Sequence, residues 1–127
     1  LREMDPDRLI DQASGWFDQG GGDFSSLHNY FFGLFIRPER KRASALSEYG
    51  GYSYPVSGHT ACEKQYGYGA CKTREELNKR CTERADKMRE LIPEGLCASV
   101  YTQWSDIEEE VNGVYTYDRK IRKIDRV

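Results

Sequence analysis

The sequence predicts an α/β fold with parallel strands, formed by a single domain over residues 1–127. Three segments predict it. Segment 73–95 has the pattern of an amphipathic helix, whereas segments 43–49 and 96–102 are apolar runs of the kind found in buried strands. Because buried strands that are joined by loops and a crossover helix favour parallel pairing, we expect these strands to run in the same direction.

The N-terminal part predicts two more strands between loops. Residues 1–8 have the signals of a helix end and a connector, and a short strand is expected over 8–14. A glycine run at 20–22 predicts a loop, because glycine adopts backbone angles that other residues avoid. The first half of 24–32 is predicted as a strand, and 33–42 as a basic connector.

The predicted helix has clear signals at both ends. Thr73 followed by Glu76 has the pattern of a capping box, and Pro93 with Gly95 predicts the end. Apolar residues recur between them at spacings of three and four, as one face of a helix requires. These residues are Leu77, Cys81, Ala85, Met88 and Leu91. The basic tail, 119–127, is predicted to form a helical turn or a frayed end.

The sequence allows several interpretations of the four cysteines. Cys81 and Cys97 lie in apolar stretches, and we expect both to be buried as small hydrophobic side chains. Cys62 and Cys71 flank a tyrosine-rich loop, so they can form a disulfide or stay free. A metal site made of these two thiols with His59 is a further alternative, although no cysteine pair has CxxC spacing. The unpaired character of Cys81 and Cys97 favours a reducing cytoplasm.

Composition narrows the classes of partner. The formal net charge of -2 favours neither a nucleic acid nor a membrane surface, and no apolar run is long enough to span a bilayer. Residue 1 is Leu, without an initiator Met or a signal-peptide pattern, so we expect a part of a longer protein. The loop 50–70 is too rich in tyrosine for disorder, and loops of this length are usually functional.

Candidate site residues lie where three predicted strands end. In α/β barrels, the carboxyl ends of the strands and the loops after them build the active site. Glu48 ends the strand 43–49, just before two glycines, and supplies a carboxylate. The other two strand ends supply imidazole, amide, phenol and indole groups, which suit the binding and cleavage of a sugar. They are His28, Asn29 and Tyr30 at one end, and Tyr101, Gln103 and Trp104 at the other.

Short motifs along nearly the whole chain resemble glycoside hydrolase family 2, the family of β-galactosidases, β-glucuronidases and β-mannosidases. Ser47-Glu48-Tyr49-Gly50-Gly51 resembles the family's seventh strand, whose Glu is the nucleophile. Two upstream segments resemble the stretch after the fourth strand and the sixth strand: Asp5-Pro6-Asp7-Arg8-Leu9, and Asp23-Phe24 through His28-Asn29-Tyr30. Downstream segments resemble the last-strand region of one β-galactosidase-like branch: Tyr101-Thr102-Gln103, Asp106-Ile107-Glu108, and Glu110-Val111-Asn112-Gly113 with Thr116-Tyr117-Asp118-Arg119.

The resemblance implies the C-terminal half of a TIM (β/α)8 barrel, about strands 5 to 8, and a retaining hydrolase of β-glycosides. Glu48 would be the nucleophile, and Tyr30 would donate a hydrogen bond that helps to keep its carboxylate ionised. The remaining candidates would bind the carbohydrate substrate: His28, Asn29, Tyr101, Gln103 and Trp104. Neither a cofactor nor a metal is implied.

The resemblance also implies missing parts and leaves alternatives. The family's acid/base Glu follows an Asn at the end of the fourth strand, but this sequence has no Asn-Glu pair. We therefore expect the isolated chain to be inactive, with the N-terminal half of the barrel, or a second copy of the chain, as its partner. A count back from Asp106 places Thr102, rather than Trp104, at the family's sugar-platform Trp. The alternative function is a non-catalytic carbohydrate-binding or structural half-barrel. The acidic run 108–110 is expected to be solvated rather than to bind a metal.

Overall fold

A computed structural model describes residues 1–12 and 15–125 of the chain. These ranges form a three-stranded sheet, a separate two-stranded sheet and one α-helix. In chain order the elements are β1 (Phe24–Asn29), β2 (Ala43–Gly50), β3 (Tyr52–Ser53), β4 (Gly69–Ala70), α1 (Arg74–Leu91) and β5 (Leu96–Thr102). Strands therefore occur where the sequence predicts them at 43–49, at 96–102 and in the first half of 24–32.

The larger sheet has parallel strands in the order β1-β2-β5. Its central strand, β2, places Leu46 opposite Leu27 of β1 and Gly50 opposite Thr102 of β5. Because the three strands run in the same direction, their carboxyl ends lie along one edge of the sheet. The predicted site residues at the ends of all three strands therefore lie along that edge.

The prediction of a half TIM barrel with about four β/α units is wrong. Such units would alternate strands with helices, whereas the described residues contain a sheet of three strands and a single helix. The connection from β1 to β2 explains part of the difference. Its residues 30–42 bury Leu34 but expose Phe31 and Phe35, so they lack the continuous apolar stripe that an amphipathic helix needs.

The strand expected over 8–14 is wrong where the structure describes it, because residues 8–12 form no strand. Residues 13 and 14 lie outside the described residues. This part of the chain meets β1 through single backbone hydrogen bonds, such as the one that the N–H of His28 donates to the carbonyl of Gly15 at 3.1 Å. Isolated bonds of this kind do not make the repeated ladder that defines a strand.

The helix α1 begins and ends as its signals predict. Thr73 is the N-cap, and its hydroxyl accepts a hydrogen bond from the backbone N–H of Glu76 at 3.1 Å. The carboxylate of Glu76 reaches back to the N–H of Lys72 at 2.8 Å, one residue earlier than in a standard capping box. Four of the five stripe residues are buried, and Ala85 is half-buried. Gly95, with φ of 115°, follows the helix end.

The buried face of α1 joins two small hydrophobic clusters. The first packs the helix against the large sheet, and its buried members are Leu27, Leu34, Leu46, Met88 and Leu91. The second packs it against the loops, and its buried members are Cys71, Leu77, Cys81 and Ile124. Leu46 and Leu77 are fully buried, so each contributes about 1.5–3 kcal/mol to folding.

The side chains of β5 are less buried than the sequence predicts. The sequence predicts a buried strand, but residues 97–100 are exposed, because β5 lies at an edge of the sheet and has one neighbour in it. Val100 is 57% exposed, and Cys97 is exposed rather than buried as expected. Cys81, in contrast, is buried as predicted.

The chain ends are less regular than predicted. Residues 1–5 form a single turn, in which the N–H groups of Met4 and Asp5 donate to the carbonyl of Leu1 at 2.9 Å. Residues 119–125 form no helical turn, and residues 126 and 127 lie outside the described residues. Within the described part of the chain, no helix combines the length and the apolar character needed to cross a membrane.

A buried ion pair fixes the C-terminal part to the loops. Nζ of Lys123 donates to Oδ1 of Asp106 at 2.6 Å, to the carbonyl of Val111 at 2.9 Å and to the carbonyl of Tyr54 at 3.1 Å. The three ammonium hydrogens are therefore all used. Lys123 and Asp106 are almost completely buried, at 1% and 3% exposure. The pair holds segments together that are distant in the sequence.

Candidate functional site

Glu48 lies near the carboxyl end of β2, with its side chain 42% exposed. The phenol of Tyr30, which directly follows β1, donates a hydrogen bond to Oε2 of Glu48 at 2.5 Å. The same phenol oxygen lies 2.9 Å from Oγ1 of Thr102, the last residue of β5. Because a phenol has one hydrogen, Thr102 is the donor in the second bond. A hydrogen-bonded chain thus connects the ends of all three parallel strands.

The register of β1 and β2 brings His28 beside Glu48. The two strands pair regularly up to Leu27 and Leu46, and a register shift then leaves Ser47 as an extra residue in β2. His28 is consequently opposite Glu48. A regular ladder would pair His28 with Ser47 instead, so the irregularity determines which side chains meet at the site.

The imidazole of His28 is the second polar group at the carboxylate. Its Nδ1 lies 3.3 Å from Oε2 of Glu48, and the ring is only 6% exposed. This nitrogen is buried and has no well-aligned hydrogen-bond partner among the described residues. Trp16 covers the ring edge-on, with 5.6 Å between the ring centroids. Glu48 is therefore contacted by a phenol and an imidazole.

Two phenols at the site are protonated at neutral pH, and burial raises their pKa further above that range. It raises the pKa of Tyr30 well above the ordinary value, and the hydrogen bond to Glu48 raises that pKa further. Burial also raises the pKa of Tyr68 to about 12. Both side chains consequently remain hydrogen-bond donors at neutral pH, and Tyr30 keeps the proton that it donates to the carboxylate.

Five rings form a continuous aromatic wall beside Glu48. The rings of Tyr30 and Tyr68 stack in parallel, with 3.7 Å between centroids and 6° between planes. The edges of Phe31 and Tyr66 meet Tyr68, each with 5.5 Å between centroids, and Trp16 lies 6.2 Å from Tyr30. The aromatic wall therefore extends from the carboxylate to the surface of the protein.

Gly51 permits this stacking. Its φ of 69° lies in the left-handed region that favours glycine. A Cβ at this position would lie 2.6 Å from Cδ2 of Tyr68 and 2.9 Å from Cδ1 of Tyr30. The second glycine of the Ser-Glu-Tyr-Gly-Gly motif is thus required by the packing of the rings next to the carboxylate.

Two predicted substrate-binding residues make contacts away from the carboxylate. Asn29 is buried, and its side-chain amide donates to the carbonyl of Gly33 at 3.2 Å. Tyr101 packs against the helix, with its hydroxyl 3.7 Å from Sγ of Cys81. Burial strongly raises the pKa of this phenol. The structure does not bring either side chain to Glu48.

The residues after β5 form a separate polar group. Nε2 of Gln103 donates to Glu110 at 3.0 Å and to Asn112 at 2.7 Å. Trp104 is 70% exposed and lies 5.2 Å from the ring of Tyr115. The indole of Trp104 is therefore outside the aromatic wall, and the amide hydrogens of Gln103 are already used within the protein.

Three residues of the site are not among the predicted site residues. Thr102 is selected only by the count back from Asp106, and Trp16 lies in the loop that contains the glycine run. Tyr68 belongs to the loop 50–70, whose tyrosines are expected either to line a subsite or to pack the loop. Thr102 could have been predicted, because it is the last residue of β5 and the other two parallel strands end in candidate site residues. The stacking of Tyr68 on Tyr30 had no local signal, because the two residues are far apart in the sequence.

The metal site considered for His59, Cys62 and Cys71 does not form. His59 instead pairs with Asp118, with 2.9 Å between Nδ1 and Oδ2. Cys62 is exposed and Cys71 is buried, and all four cysteines are free thiols. In residues 1–12 and 15–125, no three His, Cys, Asp or Glu side chains are grouped as a metal ion would need.

No family model matches the sequence, and no curated protein matches it either. The resemblance to glycoside hydrolase family 2 therefore stays a prediction from short motifs.

Proposed function

We propose that this chain carries the nucleophile of a retaining β-glycosidase site, with Glu48 as the attacking carboxylate. The observation that supports the proposal best is the 2.5 Å hydrogen bond from Tyr30 to Glu48 at the carboxyl ends of adjacent parallel strands. A carboxylate that is 42% exposed is accessible to a substrate, while the bond fixes its orientation. The site residues at the ends of these strands are those that the resemblance to glycoside hydrolase family 2 selects.

The contacts of Glu48 suggest which oxygen attacks. Oε2 accepts the hydrogen bond from Tyr30 and faces Nδ1 of His28. Among the described residues, no hydrogen bond reaches Oε1. In the proposed reaction Oε1 bonds to the anomeric carbon, the glycosidic bond breaks, and the leaving oxygen takes a proton from a second carboxylic acid. Water then releases the sugar from the covalent glycosyl ester.

Tyr30 acts as a positioning residue in this proposal. Its hydrogen bond holds Oε2 of Glu48 and so fixes the orientation of the carboxylate. The phenol keeps its proton in this bond, and burial raises its pKa further above the ordinary value. Thr102 donates to the phenol from β5 and so orients it.

The second carboxylate is expected from a segment outside residues 1–127. The sequence has no Asn-Glu pair of the kind that supplies the acid/base residue in the family it resembles. β5 offers a place for a partner segment, since it is an edge strand with exposed residues 97–100.

The free thiols of all four cysteines support a reducing compartment such as the cytoplasm.

A carbohydrate-binding role without cleavage is the second candidate. It is favoured by the exposed rings of the aromatic wall, of which Trp16 is 48% and Phe31 is 63% exposed. Aromatic faces bind sugars whether or not a bond is broken. The two candidates differ in whether Glu48 forms a covalent bond to a sugar.

A mechanism-based label distinguishes them. The reagent is a β-galactosyl fluoride in which fluorine also replaces the hydroxyl next to the anomeric carbon. Fluoride leaves without acid catalysis, so the missing acid/base residue is not needed, and the second fluorine slows hydrolysis of the ester. Mass spectrometry of the full chain should show one added fluorosugar, and peptide mapping should place it on Glu48.

The matched control is Glu48→Gln, which keeps the shape of the side chain but is not a nucleophile. It should remain unlabelled. Two results would exclude Glu48 as the nucleophile and favour binding without cleavage. One is labelling of the parent chain on a different carboxylate, and the other is the absence of any labelling after prolonged incubation.

A further inference from the structure

The aromatic wall continues past the carboxylate to rings that the proposed chemistry does not use. Tyr30 is 5% exposed, whereas Trp16, Phe31 and Tyr66 are 48%, 63% and 48% exposed. Large aromatic side chains are usually covered in a folded protein, because their burial contributes strongly to stability. A set of exposed rings that is connected through Tyr30 to a half-exposed carboxylate indicates a surface for a ligand.

The two outermost rings are held in place. Trp16 and Phe31 have centroids 6.4 Å apart and planes inclined by 35°. Trp16 also packs on His28 and Tyr30, and Phe31 packs edge-on against Tyr68 with planes at 73°. Packing of this kind limits the rotamers of exposed side chains, so the rings present defined faces and lose little freedom when a ligand binds.

Polar groups beside the rings define the chemistry of the ligand. The phenols of Tyr66 and Tyr68 belong to the wall, and Glu110 lies close enough to add to the effects of burial and of the Tyr66 hydrogen bond, which raise the pKa of Tyr68. A purely apolar ligand would remove these polar groups from water at a cost. A sugar ring has an apolar C–H face and a rim of hydroxyls, and it can satisfy both kinds of group.

We propose that Trp16 and Phe31 form a second sugar subsite, which binds the leaving-group sugar of a β-linked disaccharide or longer glycan. The inference rests on the proposed function, because it places the first sugar at Glu48. These rings are continuous with the site at Glu48, because Trp16 packs on both His28 and Tyr30, the two residues that contact the carboxylate. A sugar attached to the one at Glu48 therefore meets these rings.

The test measures binding of two probes by calorimetry to the full chain. Lactose has two rings and methyl β-galactoside has one. Trp16→Ala and Phe31→Ala should each weaken lactose binding about tenfold. Phe31→Ala should leave methyl β-galactoside binding unchanged, because Phe31 packs on Trp16 and Tyr68 and not on the residues that contact Glu48. Phe17→Ala is the matched control, since Phe17 is 82% exposed but faces Asp11 and Gln12 rather than the wall. It should leave the binding of both probes unchanged.

The outcomes separate this inference from the proposed function. The inference is overturned if lactose does not bind the parent chain, or if it binds the two wall variants as tightly as the parent. The fluorosugar label carries no leaving-group sugar, so its reaction with Glu48 should be unaffected by Phe31→Ala, since Phe31 packs on Trp16 and Tyr68 and not on the residues that contact the carboxylate. Selective loss of lactose binding without any labelling would support the subsite and refute only the catalytic role.

Discussion

Replacement of Lys123 by Met is expected to destabilise the fold by about 3–5 kcal/mol. The Met side chain is close in volume to the lysine stem but donates no hydrogen bonds. Asp106, 3% exposed, would then keep a buried charge without its partner, and the carbonyls of Tyr54 and Val111 would lose a donor. Burial raises the pKa of Asp106 and lowers that of Lys123, so each charge depends on the other.

The assay is urea unfolding at neutral pH, with the free energy obtained by linear extrapolation. Lys120→Met is the matched control, because the side chain of Lys120 is 75% exposed, and its effect should stay within about 0.5 kcal/mol. The double variant Lys123→Met with Asp106→Leu should recover part of the loss, since it removes the unpaired charge. Recovery should be incomplete because the N–H of Gly113 also needs Asp106, at 2.8 Å. An equal effect of Lys123→Met and Lys120→Met would refute the reasoning.

Three further predictions concern the site and its surroundings. Tyr30→Phe should slow fluorosugar labelling of Glu48 by about 10-fold or more while the fold is retained. The reason is the loss of one charge-assisted hydrogen bond of about 1.5–3 kcal/mol. An unchanged labelling rate would contradict the positioning role. Gly51→Ala should destabilise the chain by more than about 1 kcal/mol in urea unfolding, because its φ of 69° and the nearby rings exclude a Cβ; equal stability would show that the rings can move. Thr116→Val should lower stability mainly above pH 4. Hydrogen bonds, first from Thr116 and then from His59, hold the pKa of Asp118 well below its ordinary 3.8, so their stabilisation is present above that value and is lost as the pH falls below it. The difference between the urea midpoints of the parent and the variant should therefore become smaller in acid. It should not vanish, because the N–H of Ile121 also donates to the Thr116 hydroxyl, at 3.1 Å. A difference that does not change with pH would contradict this.

Secondary structure was predictable where the signals were local. The cap at Thr73 and the apolar spacing fixed the helix, and the small-residue run before Gly50 fixed β2. The barrel could not be inferred in this way, because it depended on the likeness of short motifs rather than on periodicity. The burial of β5 was misjudged for a related reason: its apolar residues do not reveal whether a strand lies in the centre or at the edge of a sheet.

The site was predictable in part, and strand alternation explains the rest. Neighbouring residues of a strand point to opposite faces, so Tyr101 and Thr102 cannot both reach Tyr30. The structure directs Thr102 to Tyr30 and Tyr101 to the helix. The bulge at Ser47 was not predictable either, yet it decides that His28 faces Glu48. Residue types at strand ends thus indicate a site, whereas the register selects its members.

The environments of Asp106 and Glu48 distinguish a structural carboxylate from the proposed nucleophile. Asp106 has the environment of a structural carboxylate: it is buried and bonded to a lysine and to a backbone N–H. Glu48 differs in each respect. It is 42% exposed, no Lys or Arg side chain pairs with it among the described residues, and one of its oxygens is held by a phenol from a neighbouring strand. Such an arrangement contributes little to stability, since it neither neutralises the charge nor buries it. It does hold the carboxylate in one orientation at the edge where three strands end, which leaves Oε1 available as the proposed nucleophilic atom.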